Sequence, residues 1–123
     1  MVDVIARRGS HVSPLRYPGG KATLAGFFES TIHALRLDKP TYIEPYAGGA
    51  GAGLELLLKD VVGTVVINDL DPAIHACWKA MVKDSDQFLR RLERTPLSIT
   101  EWKKQRDIYR CRHVADIDPL ALG

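Results

Sequence analysis

Cysteine is scarce in this chain of 123 residues: Cys77 and Cys111 are its only two. They stand too far apart to form a CxxC pair, and His11, His33, His75 and His113 are scattered. No zinc-ligand spacing results, and no metal is expected. Two thiols in no framework read as reduced side chains of a cytoplasmic protein. Long apolar runs are absent as well. Nothing approaches the roughly 20 consecutive apolar residues of a membrane span, and residues 1–8 lack the apolar stretch of a signal peptide. No repeat or low-complexity tract occurs. The length suits one domain or part of one.

An excess of one charge is nearly missing overall, since the formal net charge is +2. It is unevenly distributed. Residues 1–82 carry eight Lys/Arg and eight Asp/Glu, whereas residues 83–113 carry nine against five. A basic bias of this size is compatible with a phosphate-facing surface, or with a solvated helix face.

What the chain does have is glycine in one place. Tyr42-Ile43-Glu44-Pro45 reads as a strand, followed by Tyr46-Ala47-Gly48-Gly49-Ala50-Gly51-Ala52-Gly53 and a helical run of leucines. Glycines between a strand and a helix allow close backbone approach at the carboxyl end of a parallel sheet, where cofactors bind. A second apolar run, Thr64-Val65-Val66-Ile67, ends in Asn68-Asp69, where nucleotide-binding βαβ units place a ribose-binding acid. A nucleotide-like cofactor is the first implication. The dinucleotide fingerprint G-x-G-x-x-G fails at Leu54, and the phosphate-loop pattern is absent.

Around this core the periodicity predicts a helix over 21–37 with Leu24, Phe27, Phe28, Ile32 and Leu35 inward. It predicts a crossover helix over 51–59 between strands 42–45 and 65–68, closing a βαβ unit. Asp71-Pro72 reads as an N-cap and first helical residue of a helix through 81. Residues 86–94 form a short helix with Phe88, Leu89 and Leu92 inward. Ser98-Ile99-Thr100-Glu101 fits a capping box opening a helix to about 112. There Lys103, Arg106 and Arg110 share a wet face, while Trp102 and Tyr109 lie on a packed one. The tail, 116–123, has no clear partner. Two strands are few for a parallel sheet, so the chain reads as incomplete.

Three motifs stand in order: Pro14-Leu15-Arg16-Tyr17-Pro18-Gly19-Gly20-Lys21, then Tyr42-Ile43-Glu44-Pro45-Tyr46-Ala47-Gly48-Gly49-Ala50-Gly51, then Val66-Ile67-Asn68-Asp69-Leu70-Asp71-Pro72. Together they resemble the Dam-like (D12 class) adenine-specific DNA methyltransferases, which transfer methyl from S-adenosylmethionine to adenine N6. The stretch Thr95-Pro96-Leu97-Ser98-Ile99-Thr100-Glu101-Trp102 and its continuation through Arg110 resembles the insert that follows the cofactor half in a subset of the family.

The resemblance implies an α/β fold: a partial Rossmann-like S-adenosylmethionine-dependent methyltransferase domain with a helical appendage. Residues 1–82 would be the cofactor-binding part, and 83–123 a helical segment starting the DNA-recognition insert. It makes Asp69 the ribose ligand and puts Gly49 and Gly51 against the cofactor. Tyr17 would pack on the cofactor, and Lys21 would pair with its carboxylate or another anionic group. At the strand's end, where burying an unpaired charge is costly, Glu44 takes a polar, cofactor-side position or orients the loop. Lys103, Arg106 and Arg110 are the candidate DNA contacts. The family's later (Asp/Asn/Ser)-Pro-Pro-(Tyr/Phe) motif, which holds the flipped adenine, has no match: no Pro-Pro occurs, and Asp118-Pro119-Leu120 lacks the second proline and the aromatic. No catalytic residue is therefore named. The expected function is the cofactor-binding part of a site-specific, modification-type enzyme acting on double-stranded DNA. Alone it would be inactive, completed by its missing C-terminal part or a second subunit. The competing expectation is a non-catalytic module that binds DNA or a partner.

Overall fold

The computed structural model describes residues 12–111. They fall into two compact units that divide between Asn68 and Asp69. The expectations for residues 1–8, for Arg112 and for the tail lie outside the described residues.

In the first unit a 3-10 turn, Lys21–Leu24, leads into α1 (Ala25–Ala34). The helix expected over 21–37 is thus shorter and tightens in its first turn. It stops because Arg36 takes a left-handed φ of 53°. The Arg36 amide then donates to His33 O at 3.0 Å and the Leu37 amide to Ile32 O at 3.2 Å. Those are the two bonds of a Schellman ending, here without its usual glycine. α2 (Gly51–Leu58) ends the same way. Asp60 has φ 59°, its amide donates to Leu57 O at 3.0 Å, and the Val61 amide donates to Leu56 O at 3.0 Å.

β1 (Thr41–Glu44) and β2 (Thr64–Ile67) pair in parallel, Thr41 opposite Thr64 and Glu44 opposite Ile67. The ladder continues past both strands. Asn68 donates to Glu44 O at 3.1 Å, and Ala47 donates to Asn68 O at 2.9 Å. The expected strand–helix–strand order and parallel pairing are both present.

Ile32, Leu56 and Val62 form the centre of this unit, with Phe28, Tyr42, Val61 and Val65 packed around them. The Phe28 and Tyr42 rings lie 5.5 Å apart. α2 comes close to the sheet at Gly53, where a Cβ would meet Val65 Cγ1 at 2.8 Å. The buried stripe of α1 is narrower than its pattern suggests. Leu24, Phe27 and Leu35 are exposed, while Ala25 and Ile32 are buried. α1 packs chiefly on α2 and the preceding 3-10 turn, and only the line of Ala25, Phe28, Glu29 and Ile32 is covered. Ile43 and Val66 alternate onto the sheet's other face and are exposed.

In the second unit Asp71 caps α3 (Pro72–Lys83) by accepting the Ala73 amide at 2.9 Å, with proline at the first helical position. Ala73, Ala76, Cys77, Trp78 and Ala80 are buried along it. α4 (Ser85–Arg94) follows at once. Leu89 and Leu92 do not turn inward as expected: both are exposed, and Phe88 is half-buried. α5 (Ile99–Arg110) opens on Ser98, whose Oγ accepts the Glu101 amide at 3.1 Å. Only that arm of the expected capping box forms. Ser98 donates its own amide to Pro96 O, and the Glu101 carboxylate instead accepts from Gln105 at 2.6 Å. Trp102 is exposed where a packed side was expected, and Tyr109, also exposed, keeps a hydrogen bond to Asp71. Among the described residues, no helix is long and apolar enough to cross a membrane.

Candidate functional site

The glycine turn and the upstream loop are one structure. Gly48 has φ 49°, a conformation that disfavours any side chain, and a Cβ there would sit 2.7 Å from Tyr17 Cδ1. The Tyr17 ring therefore lies on the Gly48 backbone with much of its surface still exposed. At Gly49 a Cβ would meet Leu15 O at 2.7 Å and Ser13 Oγ at 3.0 Å; at Gly51 it would meet Ala22 Cβ at 2.9 Å. Ser13 holds that loop by accepting the Leu15 amide at 3.1 Å and donating to Leu15 O at 3.0 Å. The space left by these glycines is filled by the chain's own segment 13–22. Ala50, the residue before α2, also takes a left-handed φ of 48°.

Glu44 ends β1 and is 2% exposed. A buried carboxylate is costly unless its oxygens find partners. Oε2 accepts the Gly53 amide in the first turn of α2 at 3.3 Å, a place where the helix dipole favours negative charge. Ala50 offers no side-chain cap to α2, so Glu44 supplies that acceptor from the strand before it. Oε1 lies 3.2 Å from Lys21 Nζ. Among the described residues it accepts no hydrogen bond, although it is buried. Lys21 aims its bond at Tyr46 O instead. Lys21, Glu44 and the Tyr46 carbonyl thus meet at the carboxyl end of β1, where a ligand with both an ammonium and a carboxylate would find a match for each. Beside them, burial and then the Glu44 charge push the Tyr42 hydroxyl above its ordinary pKa.

In the second unit Asp69 Oδ1 accepts the Asp71 amide at 3.0 Å, forming a turn into α3. Asp71 Oδ2 in turn accepts from Tyr109 Oη at 3.1 Å. Both aspartates therefore hold local structure. On α5, Arg106 donates from Nε and Nη2 to Asp107 Oδ1 at 3.1 and 2.9 Å, and Arg110 Nη1 lies 3.9 Å from the same oxygen. The Arg106 guanidinium also sits 5.3 Å from the Trp102 ring centroid. Lys103 is exposed.

Of the residues expected at the site, the first unit brings Tyr17, Lys21, Glu44, Gly49 and Gly51 to one turn. Gly48, Ser13 and Leu15 belong to the same arrangement and were not singled out in the sequence. The run of two adjacent glycines was the signal for Gly48. Ser13 and Leu15 carry no pattern of their own.

The model of the D12 class N6 adenine-specific DNA methyltransferase family matches residues 17–116. The Type II methyltransferase M.MjaIII of Methanocaldococcus jannaschii is similar at 27% identity over 103 residues, covering 80% of this chain and 36% of that protein. The chain spans about a third of the length of the curated relative it matches. No solved structure matches it.

Proposed function

The chain belongs to the D12 class N6 adenine-specific DNA methyltransferase family, and from that premise we propose that it is the cofactor-binding part of such an enzyme. The observation that carries this reading is the buried Glu44 carboxylate, whose Oε1, 3.2 Å from Lys21 Nζ, accepts no hydrogen bond among the described residues. S-adenosylmethionine carries an ammonium, a carboxylate, a ribose diol and an adenine. The donor set at the end of β1 fits its amino-acid end, with Glu44 Oε1 taking the ammonium and Lys21 the carboxylate. Tyr17 would give its exposed ring surface to the ligand while its other contacts keep Gly48 covered. Asp69 is assigned the ribose hydroxyls by its position directly after β2 and Asn68. Around this site the fold would be completed as a Rossmann-like sheet.

The cofactor supplies an electrophilic methyl group on a sulfonium. The protein residues named above bind and orient; none takes a proton from adenine. Adenine N6 needs acceptors for its hydrogens and a surface for the flipped base, and residues 1–123 hold no Pro-Pro motif to provide them. Residues 1–123 alone would therefore bind cofactor without methylating DNA. Double-stranded DNA is the proposed partner, with Lys103, Arg106 and Arg110 on α5 as candidate contacts.

The test is calorimetric titration of S-adenosylmethionine into the purified chain and its Glu44→Gln variant, with a tritiated-methyl transfer assay in parallel. Binding that weakens at least tenfold in Glu44→Gln, without turnover in either protein, is the expected result. Failure of the wild-type chain to bind would remove the cofactor reading. Turnover above background would remove the claim of inactivity.

A further inference from the structure

At the junction of α4 and α5 the surface forms an open notch of about 590 Å3. Arg90, Arg91, Arg94 and Lys104 line it, with Gln87 and Glu101 beside them. Four cations thus face one carboxylate. Glu101 is already engaged, accepting from Gln105 at 2.6 Å and standing 3.8 Å from Lys104 Nζ. Arg90, Arg91 and Arg94 fall on one side of α4 by their spacing of three and four, an arrangement in which like charges destabilise a helix. The dipole at the C-terminal end of α4 offsets part of this for Arg91 and Arg94. It does nothing for Lys104, which lies on another helix. Among the described residues, neither Arg90 nor Arg94 forms an ion pair. Arg106 and Arg110, by contrast, share Asp107.

We infer that this notch binds a backbone phosphate of DNA, with Arg90, Arg94 and Lys104 as its principal cations. The inference rests on the reading of the chain as part of a DNA methyltransferase. Arginine's planar fork can give two parallel bonds to a phosphodiester, and convergence of several cations on a concave surface suits an anion that must be held in register. Phosphate contacts position a protein on the duplex without reading its sequence. The notch is therefore an anchoring site, separate from the cations of α5 that lie on Asp107.

The test is fluorescence anisotropy of a labelled duplex with the full chain, titrated at several salt concentrations. Wild type is compared with Arg90→Ala/Arg94→Ala, with Arg90→Lys/Arg94→Lys, and with Lys79→Ala as a control on exposed charge. Circular dichroism of each variant checks that the helices are kept. Phosphates neutralised by a protein appear as the slope of log affinity against log salt, about 0.9 for each. The alanine pair is expected to lower that slope by roughly one to two, the lysine pair to keep most of it, and Lys79→Ala to leave it unchanged. Inorganic phosphate should compete, and poly-glutamate should bind more weakly than DNA. An unchanged slope in a folded alanine pair would overturn the notch and leave the methyltransferase reading standing, as would tighter binding of poly-glutamate, which would point to an acidic protein. A wild-type chain that binds S-adenosylmethionine and no DNA would overturn both the notch and the α5 contacts, and leave the cofactor reading standing. One that binds neither would overturn the cofactor reading as well.

Discussion

The Tyr17 ring occupies the place where a side chain on Gly48 would have to go: a Cβ there would lie 2.7 Å from Cδ1 and 3.0 Å from Cγ. Two glycine-containing motifs some thirty residues apart are thereby coupled, and each fixes what the other can be.

Gly48→Ala is expected to lower the stability of the chain twice over. The left-handed backbone costs about 1–2 kcal/mol for a residue with a Cβ, and the ring must move as well. In a Tyr17→Ala background only the first penalty remains, so the double variant should lose less than the sum of the singles. Urea midpoints for the four proteins test this. Additive losses would mean that the ring and the glycine do not constrain one another.

Lys21→Met is expected to cost about 3 kcal/mol. That is the lower end for removing one partner of a buried ion pair, because the ammonium is partly exposed. Lys39→Ala serves as the comparison. Its ion pair with Asp60 is exposed on both sides, and its removal should leave the midpoint where it was. Equal effects from the two substitutions would show that Glu44 has other compensation.

Asp69 and Asp71 separate binding from structure. Asp71→Ala removes the N-cap of α3 and should cost about 0.5–2 kcal/mol with little change in cofactor affinity. Asp69→Asn keeps an oxygen for the Asp71 amide but removes the charge. Losing a charge-assisted bond to a ribose hydroxyl would weaken S-adenosylmethionine binding by about 1.5–3 kcal/mol. Calorimetry of both variants distinguishes the roles, and unchanged affinity in Asp69→Asn would take Asp69 out of the site.

Alkaline pH should destabilise the fold. Burial raises the Cys77 thiol above its ordinary 9.0, and burial with the Glu44 charge raises the Tyr42 hydroxyl above its ordinary 10.0. Above those values the unfolded chain has released protons that the folded one retains, so stability falls as pH rises through the interval to each folded value. Below pH 9 these groups contribute no slope. Denaturation midpoints measured from pH 7 to 11 should decline from about 9 upward. A thiol reagent at neutral pH should label exposed Cys111 quickly and buried Cys77 only on unfolding.

Much of the layout was legible where the signal is local. The parallel pairing follows from two apolar runs flanking a glycine-rich helix start, expected at 42–45 and 65–68 and found one residue earlier in both strands, and the α3 cap follows from Asp71-Pro72. The end of α2 was placed within one residue, but the way the first two helices end was not legible. Both α1 and α2 finish on a left-handed residue that is Arg36 or Asp60, not glycine, so no letter in the sequence marks them. The inward leucines of α4 misled because periodicity shows that a face is apolar, not that anything covers it. The cover over Gly48 and Gly49 was invisible for a different reason. It depends on contacts between segments some thirty residues apart, and spacing within either motif carries no trace of them.

The upstream loop reaches the glycine turn as part of the same chain, Lys21 bonding across 25 residues to Tyr46. Connectivity of that kind sets an effective concentration, of millimolar order for short flexible linkers, and here α1 and β1 stiffen the link. A single proteolytic cut in the exposed connection at residues 35–39 would turn this attachment into an ordinary two-body equilibrium. The turn would then keep its cover only as tightly as a dissociable peptide can provide it, and dilution alone would begin to strip it away.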